Sequence, residues 1–461
     1  MPKLARTIAS TLDYVPGYLE FQQRYQPFVG AQVAVRVDGE LLLNHAVGLA
    51  DVGGAVPLTS DHLFRIASHS KTFTAVACMQ LVERGKLRLD DRARDHVPAL
   101  GKSPMGDASV RELLGHGSGM IRDGVDSTFW SLDRTFPDRK ELLKVIKSDG
   151  KVLEPNEHFK YSNIGYSLLG LIVEGASGQP YRVYVSEHIV GKLGLKDTGP
   201  DLDFDRIDDY AKGYTSRAHG HDRREIEHLD TFEESAATGF FSTAAELTDY
   251  FQAHLDGDDR LLSDGSKRRM RQAQWNITDD SSYGLGLSIS EINGRTYYGH
   301  GGGYPGHITI SHLDLERRLS LSVFTNMNDG PAGSLATAIL NLIDLALTEK
   351  AKTEPGKAKQ LARFEGRFAT LWGVIDVANI GGRLYMLAPT LPNPAAEAVE
   401  LEIVSGDELT VVGDKGFGGF GEPMKYTFRK NGSVKQIRGA SGAKLVPIED
   451  FTLPERITRP A

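Results

Sequence analysis

A serine and a lysine stand three residues apart in Ser68-His69-Ser70-Lys71, just ahead of the run TFTAVACMQLVERG. Residues at that spacing share a helix face, so hydroxyl and amine come within hydrogen-bond reach. A serine hydroxyl attacks a carbonyl only when a neighbour takes its proton, and a lysine can do so only where burial lowers its pKa. The apolar neighbours Ala75, Val76, Cys78, Met79 and Leu81 predict a buried helix, which would supply that burial. With Ser68 opening the helix, its backbone N–H has no intrahelical partner and is ready to donate to an oxyanion. The competing reading is a helix cap, with Ser70 or Thr72 as N-cap and Lys71 in solvent.

Two later segments carry compatible chemistry. Tyr161-Ser162-Asn163 sits in a polar turn before IGYSLLGLIVEG, where a phenol and an amide can project into a cleft. The alternatives there are a packed aromatic with a satisfied hydroxyl and a helix-capping Asn163. His300-Gly301-Gly302-Gly303 ends the run RTYYGHGG, and glycines there let a substrate approach a strand edge.

These residues need a scaffold, and the hydrophobic pattern outlines one. AQVAVRV and LLLNHAVGLA flank Asp38-Gly39, the residues a type I′ hairpin demands. The middle of the chain is helical, with helices expected over Ser68 to Arg84 ending at Gly85, Asn163 to Glu174 ending near Gly175, and Thr243 to Leu255. Strands resume with YGLGLSISEI, a turn at Asn293-Gly294, RTYYGHGG, HITISHLDL, a reversal at Glu316-Arg317 and LSLSVFTN, which together form an antiparallel meander. A helix from about Ala332 to Thr348 closes the domain. Strands at both ends, helices between and no βαβ alternation give an α+β fold, an antiparallel sheet flanked by helices. The division expected is a catalytic domain over 1–348, a charged linker over 349–359 and a small antiparallel β domain over 360–461.

Composition narrows the function. The 461 residues carry 53 basic and 61 acidic side chains, a net charge of −8, with 40% hydrophobic and 25% charged residues. That is a folding chain without the basic footprint for nucleic acid or anionic membranes. No apolar run approaches the roughly 20 residues that span a bilayer, and the N-terminus shows no signal-peptide pattern. The single cysteine, Cys78, fits a reducing compartment, so a cytoplasmic location is expected. Oligomeric state cannot be read from the sequence.

Taken together, the segments resemble the serine β-lactamase and penicillin-binding-protein-like hydrolases, nearest the class C β-lactamase, esterase and D-aminopeptidase branch. Ser68 and Lys71 match the family's first motif, Tyr161 and Asn163 its Tyr-x-Asn, and His300-Gly301-Gly302 the His-x-Gly variant of its third. LDDRARDHVP, RELLGHGSGM, GFFSTAAELTDYFQ and SYGLGLSI also look like the family, and the resemblance covers roughly residues 20 to 345. It implies a β-lactamase-like fold with an all-helical subdomain, no cofactor or metal, and a small-molecule or peptide substrate. It also implies an acyl-enzyme mechanism. Ser68 attacks; Lys71 and Tyr161 move the proton; Asn163 bonds Lys71 and the acyl side of the substrate. The backbone N–H groups of Ser68 and Gly303 hold the oxyanion, beside His300, Gly301 and Gly302.

One departure matters. Penicillin-recognising members usually begin the third motif with Lys, a fixed cation for a substrate carboxylate, whereas an imidazole is largely neutral at pH 7. Weak or no β-lactam hydrolysis is therefore expected, and an amidase or peptidase with a preference for D-residues is favoured over a carboxylesterase, an acyltransferase or a non-catalytic sensor. Asp123, Asp126, Glu233 and Glu234 are the candidates for binding a free substrate amine.

Other motifs fail on context. Gly301-x-Gly303-x-x-Gly306 and Gly416-x-Gly418-x-x-Gly421 satisfy G-x-G-x-x-G, but neither leads into a helix; the second reads as a flexible loop, one able to reach the cleft as in some relatives. His219, His221 and His228 lie in a charged segment that reads as an exposed loop and not as a zinc site. Cys78 reads as a small core residue.

Overall fold

The computed structural model describes residues 3–348, 358–413, 419–439 and 442–453. Two compact units emerge: residues 28–333, and a second unit joining residues 1–27 to residues 334–461. Helices α1 (Lys3–Leu12) and α2 (Val15–Tyr25) belong to the second unit.

In residues 28–333, β1 (Gly30–Val37) and β2 (Glu40–Asp51) form the expected hairpin. Val37 pairs with Glu40 across Asp38 and Gly39, whose φ angles of 49° and 83° are the left-handed pair of a type I′ turn. Of the polar residues of β1, Arg36 is half-buried and Gln32 does not face water at all. Gln32 is fully buried, donating to the carbonyls of Thr59 and His62 and accepting from the Ala244 N–H. The alternating pattern identified the strand, while burial on both faces follows from its central place in the sheet.

The first motif lies on a 3₁₀ turn, Ala67–His69, that runs into α3 (Ser70–Glu83), beyond which Gly85 turns the chain at φ 66°. Every α3 residue from Ser70 to Leu81 is buried, the all-round burial of a core helix. Helix α4 (Asn163–Ser177) packs beside it. It runs past Gly175 and ends at Gly178, where φ is 79°. Gly175 is a contact residue, because a Cβ there would lie 2.0 Å from the His96 carbonyl oxygen. Short helices such as Val110–Leu114 and Arg139–Ser148 complete the helical subdomain. Thr243 caps α5 (Ala244–Gln252), its side chain accepting from the Glu246 N–H.

The rest of the sheet comes from β4 (Trp275–Thr278), β5 (Ser281–Tyr283), β6 (Ser288–Ile292), β7 (Arg295–Tyr304), β8 (His307–Asp314) and β9 (Leu319–Thr325). With β3 (Val56–Pro57), the order of the nine strands is β3-β2-β1-β9-β8-β7-β6-β5-β4. The first and last strands of this sheet in sequence order thus meet at the β1–β9 pairing, and the meander β6 to β9 is antiparallel throughout. Pairing of β6 with β7 stops at Ser288 and Gly299, so residues 300–304 of β7 keep a free edge.

In the second unit, the strands from Gly366–Thr370 to Lys444–Pro447 close into an eight-stranded antiparallel barrel. The unit includes α1, α2 and most of α6 (Ala332–Ala346), which sequence pattern assigned to the catalytic domain. The ties are polar and distant in sequence: Tyr14 donates to Asp376 at 2.7 Å, Gln22 to the Pro389 carbonyl at 2.5 Å and Tyr18 to the Pro392 carbonyl at 2.9 Å. Of the expected linker, residues 349–357 lie outside the described residues and Ala358–Ala362 is a short helix. Residues 416–418 of the expected Gly416–Gly421 loop also lie outside them.

Candidate active site

Lys71 is fully buried, which removes the solvent-exposed reading. Its Nζ donates to Ser68 Oγ at 3.1 Å, Asn163 Oδ1 at 2.7 Å and the Ala237 carbonyl at 2.8 Å. Burial lowers its pKa to about 7, against the opposing pull of Asp123 and Glu234. An amine with three acceptors, one of them the serine, and a midpoint near neutrality suits a general base.

Backbone geometry fixes the serine. Ala67 adopts φ 49°, a left-handed conformation uncommon for a residue with a Cβ. The surroundings hold it there: Ser70 Oγ donates to the Ala67 carbonyl at 2.6 Å and accepts from the Phe240 N–H at 3.0 Å. Buried His69 bridges the Ile66 carbonyl at 2.9 Å and Ser311 Oγ at 3.0 Å. Ser70 is thus an anchor between segments and not a helix cap.

Tyr161 and Asn163 come from the start of α4. The cap of that helix is Ser162, whose hydroxyl accepts from the Gly165 N–H at 2.8 Å and donates to the Ile121 carbonyl at 2.6 Å. Asn163 is thereby released for the site, accepting from Lys71 and donating to Asp123 Oδ1 at 2.6 Å. The Tyr161 ring lies 4.8 Å from Lys71 Nζ and 4.3 Å from the ring of His116. Burial raises the phenol pKa, partly offset by a hydrogen bond with Ser68, so it stays protonated across the physiological range.

The third wall is the free edge of β7. A Cβ on Gly302 would lie 2.2 Å from the Ile66 carbonyl oxygen and 2.4 Å from Thr309 Oγ1, so glycine is what lets the strand press against the Ser68 turn. Gly303 has no such constraint, its Cβ meeting only Ile308 at 3.7 Å, and it is exposed. A cleft of about 490 Å³ is lined by Ser68, Arg122, Asp123, Trp130, Tyr161, Asn163 and Gly303.

His300 departs from its expected substrate-binding place. It is 5% exposed and outside the cleft lining; its Nε2 meets the Tyr283 hydroxyl at 3.0 Å and its Nδ1 the Gly301 carbonyl at 2.6 Å. Burial and the nearby Lys71 lower its pKa to about 3, so the ring is neutral. Gly301 serves the site as the acceptor that orients this ring.

Of the four candidates for binding an amine, only Asp123 lines the cleft. Its Oδ1 accepts from Asn163 and from Trp130 Nε1 at 3.1 Å, and its Oδ2 from Arg122 Nε at 3.0 Å. Exposed Asp126 caps Thr128, Glu233 pairs with Arg139 and Glu234 is sealed inside. Sequence reasoning gave no role to His116, Trp130, Arg122, Tyr283 or the Ala237 carbonyl. RELLGHGSGM marked the neighbourhood of His116, but a backbone acceptor such as Ala237 has no letter of its own. Cys78 is a core residue, its thiol pKa raised by burial to about 12. His219 and His221 are exposed while His228 is half-buried against His307, and among the described residues no group of three His, Cys, Asp or Glu could hold a metal ion.

The beta-lactamase family profile matches residues 19–344, well over half of the chain. The chain belongs to the beta-lactamase family. Penicillin-binding protein 4* of Bacillus subtilis (strain 168) is 29% identical over 308 residues, 63% of this chain and 66% of that protein. Esterase EstB of Burkholderia gladioli is 32% identical over 219 residues, covering 42% and 52% of the two chains. The chain therefore spans less than two thirds of these curated relatives. Among solved structures, D-amino acid amidase from Ochrobactrum anthropi SV3 superposes with a TM-score of 0.63 at 25% identity, covering 73% of this chain and 99% of that one. The beta-lactamase-family relatives thus include hydrolases, and no described helix is long and apolar enough to cross a membrane.

Proposed function

We propose that this protein is a serine hydrolase that cleaves amide, peptide or ester bonds through an acyl-enzyme. The observation that carries this reading is the sealed Lys71 amine, held 3.1 Å from Ser68 Oγ by Asn163 and the Ala237 carbonyl. Its free-amine form takes the Ser68 proton as Oγ attacks the carbonyl carbon. The developing oxyanion is held by the backbone N–H groups of Ser68 and Gly303. Tyr161, kept protonated by burial, is suited to protonate the leaving group and to recover its proton from Lys71. Water then repeats the attack on the ester of Ser68, or a second nucleophile takes the acyl group.

Amides and small peptides are the favoured substrates, with an amine-bearing acyl group beside Asp123. The likeness to a D-amino acid amidase and the position of Asp123 in the cleft wall support this. Neutral, buried His300 argues against fixed-charge recognition of a β-lactam carboxylate. The single, buried cysteine supports a cytoplasmic setting. The test is turnover of p-nitrophenyl acetate, D-alanine p-nitroanilide and nitrocefin, followed by amino-acid amides of both chiralities, beside Ser68→Ala. Turnover of the first two that vanishes in the variant, with little nitrocefin cleavage, is expected. Unchanged turnover in Ser68→Ala overturns the reading.

A further inference from the structure

Asp123 stands one hydrogen bond beyond the residues that do the chemistry, and the three donors it holds line the same cleft. Its Oδ1 accepts from Asn163 Nδ2 at 2.6 Å and from Trp130 Nε1 at 3.1 Å, and its Oδ2 from Arg122 Nε at 3.0 Å. Asn163 is buried and the Asp123 side chain only 13% exposed, so water screens the bond between them weakly. That bond is not what holds the loop in place. The main chain does so: the Arg122 carbonyl accepts from the Asn163 and Ile164 N–H groups at 2.9 and 3.1 Å, joining the loop before α4 to the start of that helix. What the side-chain bond settles is which end of the Asn163 amide faces which neighbour.

A primary amide has an acceptor end and a donor end of nearly equal size, whereas a carboxylate only accepts. Asp123 therefore draws Nδ2, and Oδ1 is left for Lys71 Nζ, 2.7 Å away. That orientation bears directly on the base. A neutral amine carries two N–H donors and one lone pair, and Lys71 Nζ has three polar neighbours: Asn163 Oδ1, the Ala237 carbonyl at 2.8 Å and Ser68 Oγ at 3.1 Å. The first two are pure acceptors and take the two N–H groups, so the lone pair is left facing the serine hydroxyl. With the amide turned round, its own N–H would face the amine and compete with Ser68 for that lone pair. Resting on the hydrolase reading, we propose that Asp123 is a positioning residue whose carboxylate locks the Asn163 amide in one orientation and so aims the Lys71 lone pair at Ser68.

The experiment measures p-nitrophenyl acetate turnover by Asp123→Ala, Asp123→Asn, Asn163→Ala and the double variant of Asp123→Ala with Asn163→Ala. That ester has no amine, so any loss of amine recognition at Asp123 does not enter the result. We expect kcat to fall about 10- to 100-fold in Asp123→Ala, with KM within about threefold of wild type. Asp123→Asn still presents an oxygen to Asn163 and Trp130 and should recover most of that loss. In the Asn163→Ala background, Asp123→Ala should cost little more, because the amide it acts through is gone. An unchanged kcat in Asp123→Ala, or losses that multiply in the double variant, overturns the inference. A second measurement needs no turnover: the Asn163 side-chain amide in proton–nitrogen correlation NMR spectra of the full chain, identified by its absence in Asn163→Ala. Its strongly bonded proton should lie downfield in the wild type and move upfield in Asp123→Ala, and a signal that stays in place overturns the inference. Failure of the hydrolase reading, seen as activity retained in Ser68→Ala, is thereby separable from failure of this one.

Discussion

The Ser68–Lys71 turn and the His300–Gly303 strand form adjoining walls of one cleft and treat charge in opposite ways. Both carry a buried basic side chain. In the first wall the buried amine faces the reaction, with the nucleophile among its three acceptors. In the second, the buried imidazole is turned inward onto Tyr283 and Gly301, and the strand offers the cleft only backbone at Gly303. What a motif residue does is set by where its polar atoms end, which its letter alone does not tell. One wall works through a side chain and the other through its main chain.

Substitutions that delete the side-chain wall should therefore have the largest effect. Ser68→Ala removes the nucleophile and Lys71→Ala its base, and each should lower kcat on the best ester or amide by at least about 10³-fold. The two together should cost little more than either, because they act as a unit. Additive losses would show that serine and lysine serve different steps.

The main-chain wall should be sensitive to shape instead. Gly302→Ala places a methyl 2.2 Å from the Ile66 carbonyl and must push the strand off the Ser68 turn. We expect a stability loss of about 1–3 kcal/mol and a fall in kcat. Gly303→Ala meets only ordinary contact at 3.7 Å and should keep its stability while raising KM. Thermal melts beside kinetics separate the two; equal melting temperatures would break the contrast.

The first wall was the more legible of the two in the sequence. Ser68 and Lys71 were readable as one helix face and Tyr161 and Asn163 as a turn before a helix, and the resemblance to the family's motifs joined them into one site. Alternation and the turn pairs Asp38-Gly39 and Asn293-Gly294 gave the antiparallel sheet. What stayed hidden depends on partners far along the chain. The Ala237 carbonyl has no side-chain letter; burial turned Glu234 from a candidate amine ligand into a sealed acid; and His300 looked like a cleft residue because its bond to Tyr283 cannot be inferred from spacing. Helices α1 and α2 joined the barrel unit through bonds such as Tyr14 to Asp376, 362 residues apart, beyond the reach of any local pattern.

Charge also separates the walls in pH dependence. Lys71 must lose a proton to act and has a midpoint of about 7, so kcat/KM should rise with pH through that value. Well below it, activity should fall about tenfold per pH unit, the slope of one proton. His300, with a midpoint of about 3, is neutral throughout and should add no limb between about pH 5 and 9. A rate profile over that range checks both statements.

The smallest effect should come from His300→Asn, which is the sharpest test of the inward-facing wall. A neutral prop is replaced by a shorter neutral amide, so kcat/KM on an uncharged ester should stay within about tenfold of wild type and its pH profile should keep its shape. The cost should appear in stability. The Tyr283 hydroxyl, buried and 3.0 Å from His300 Nε2, loses that partner while keeping its bond with Tyr166, and a lost buried hydrogen bond costs about 0.5–1.5 kcal/mol. A lower melting temperature with a preserved profile is the expected pairing. If His300→Asn instead abolishes a limb of the profile while melting like wild type, the imidazole takes part in proton transfer, and the division between a side-chain wall and a main-chain wall fails.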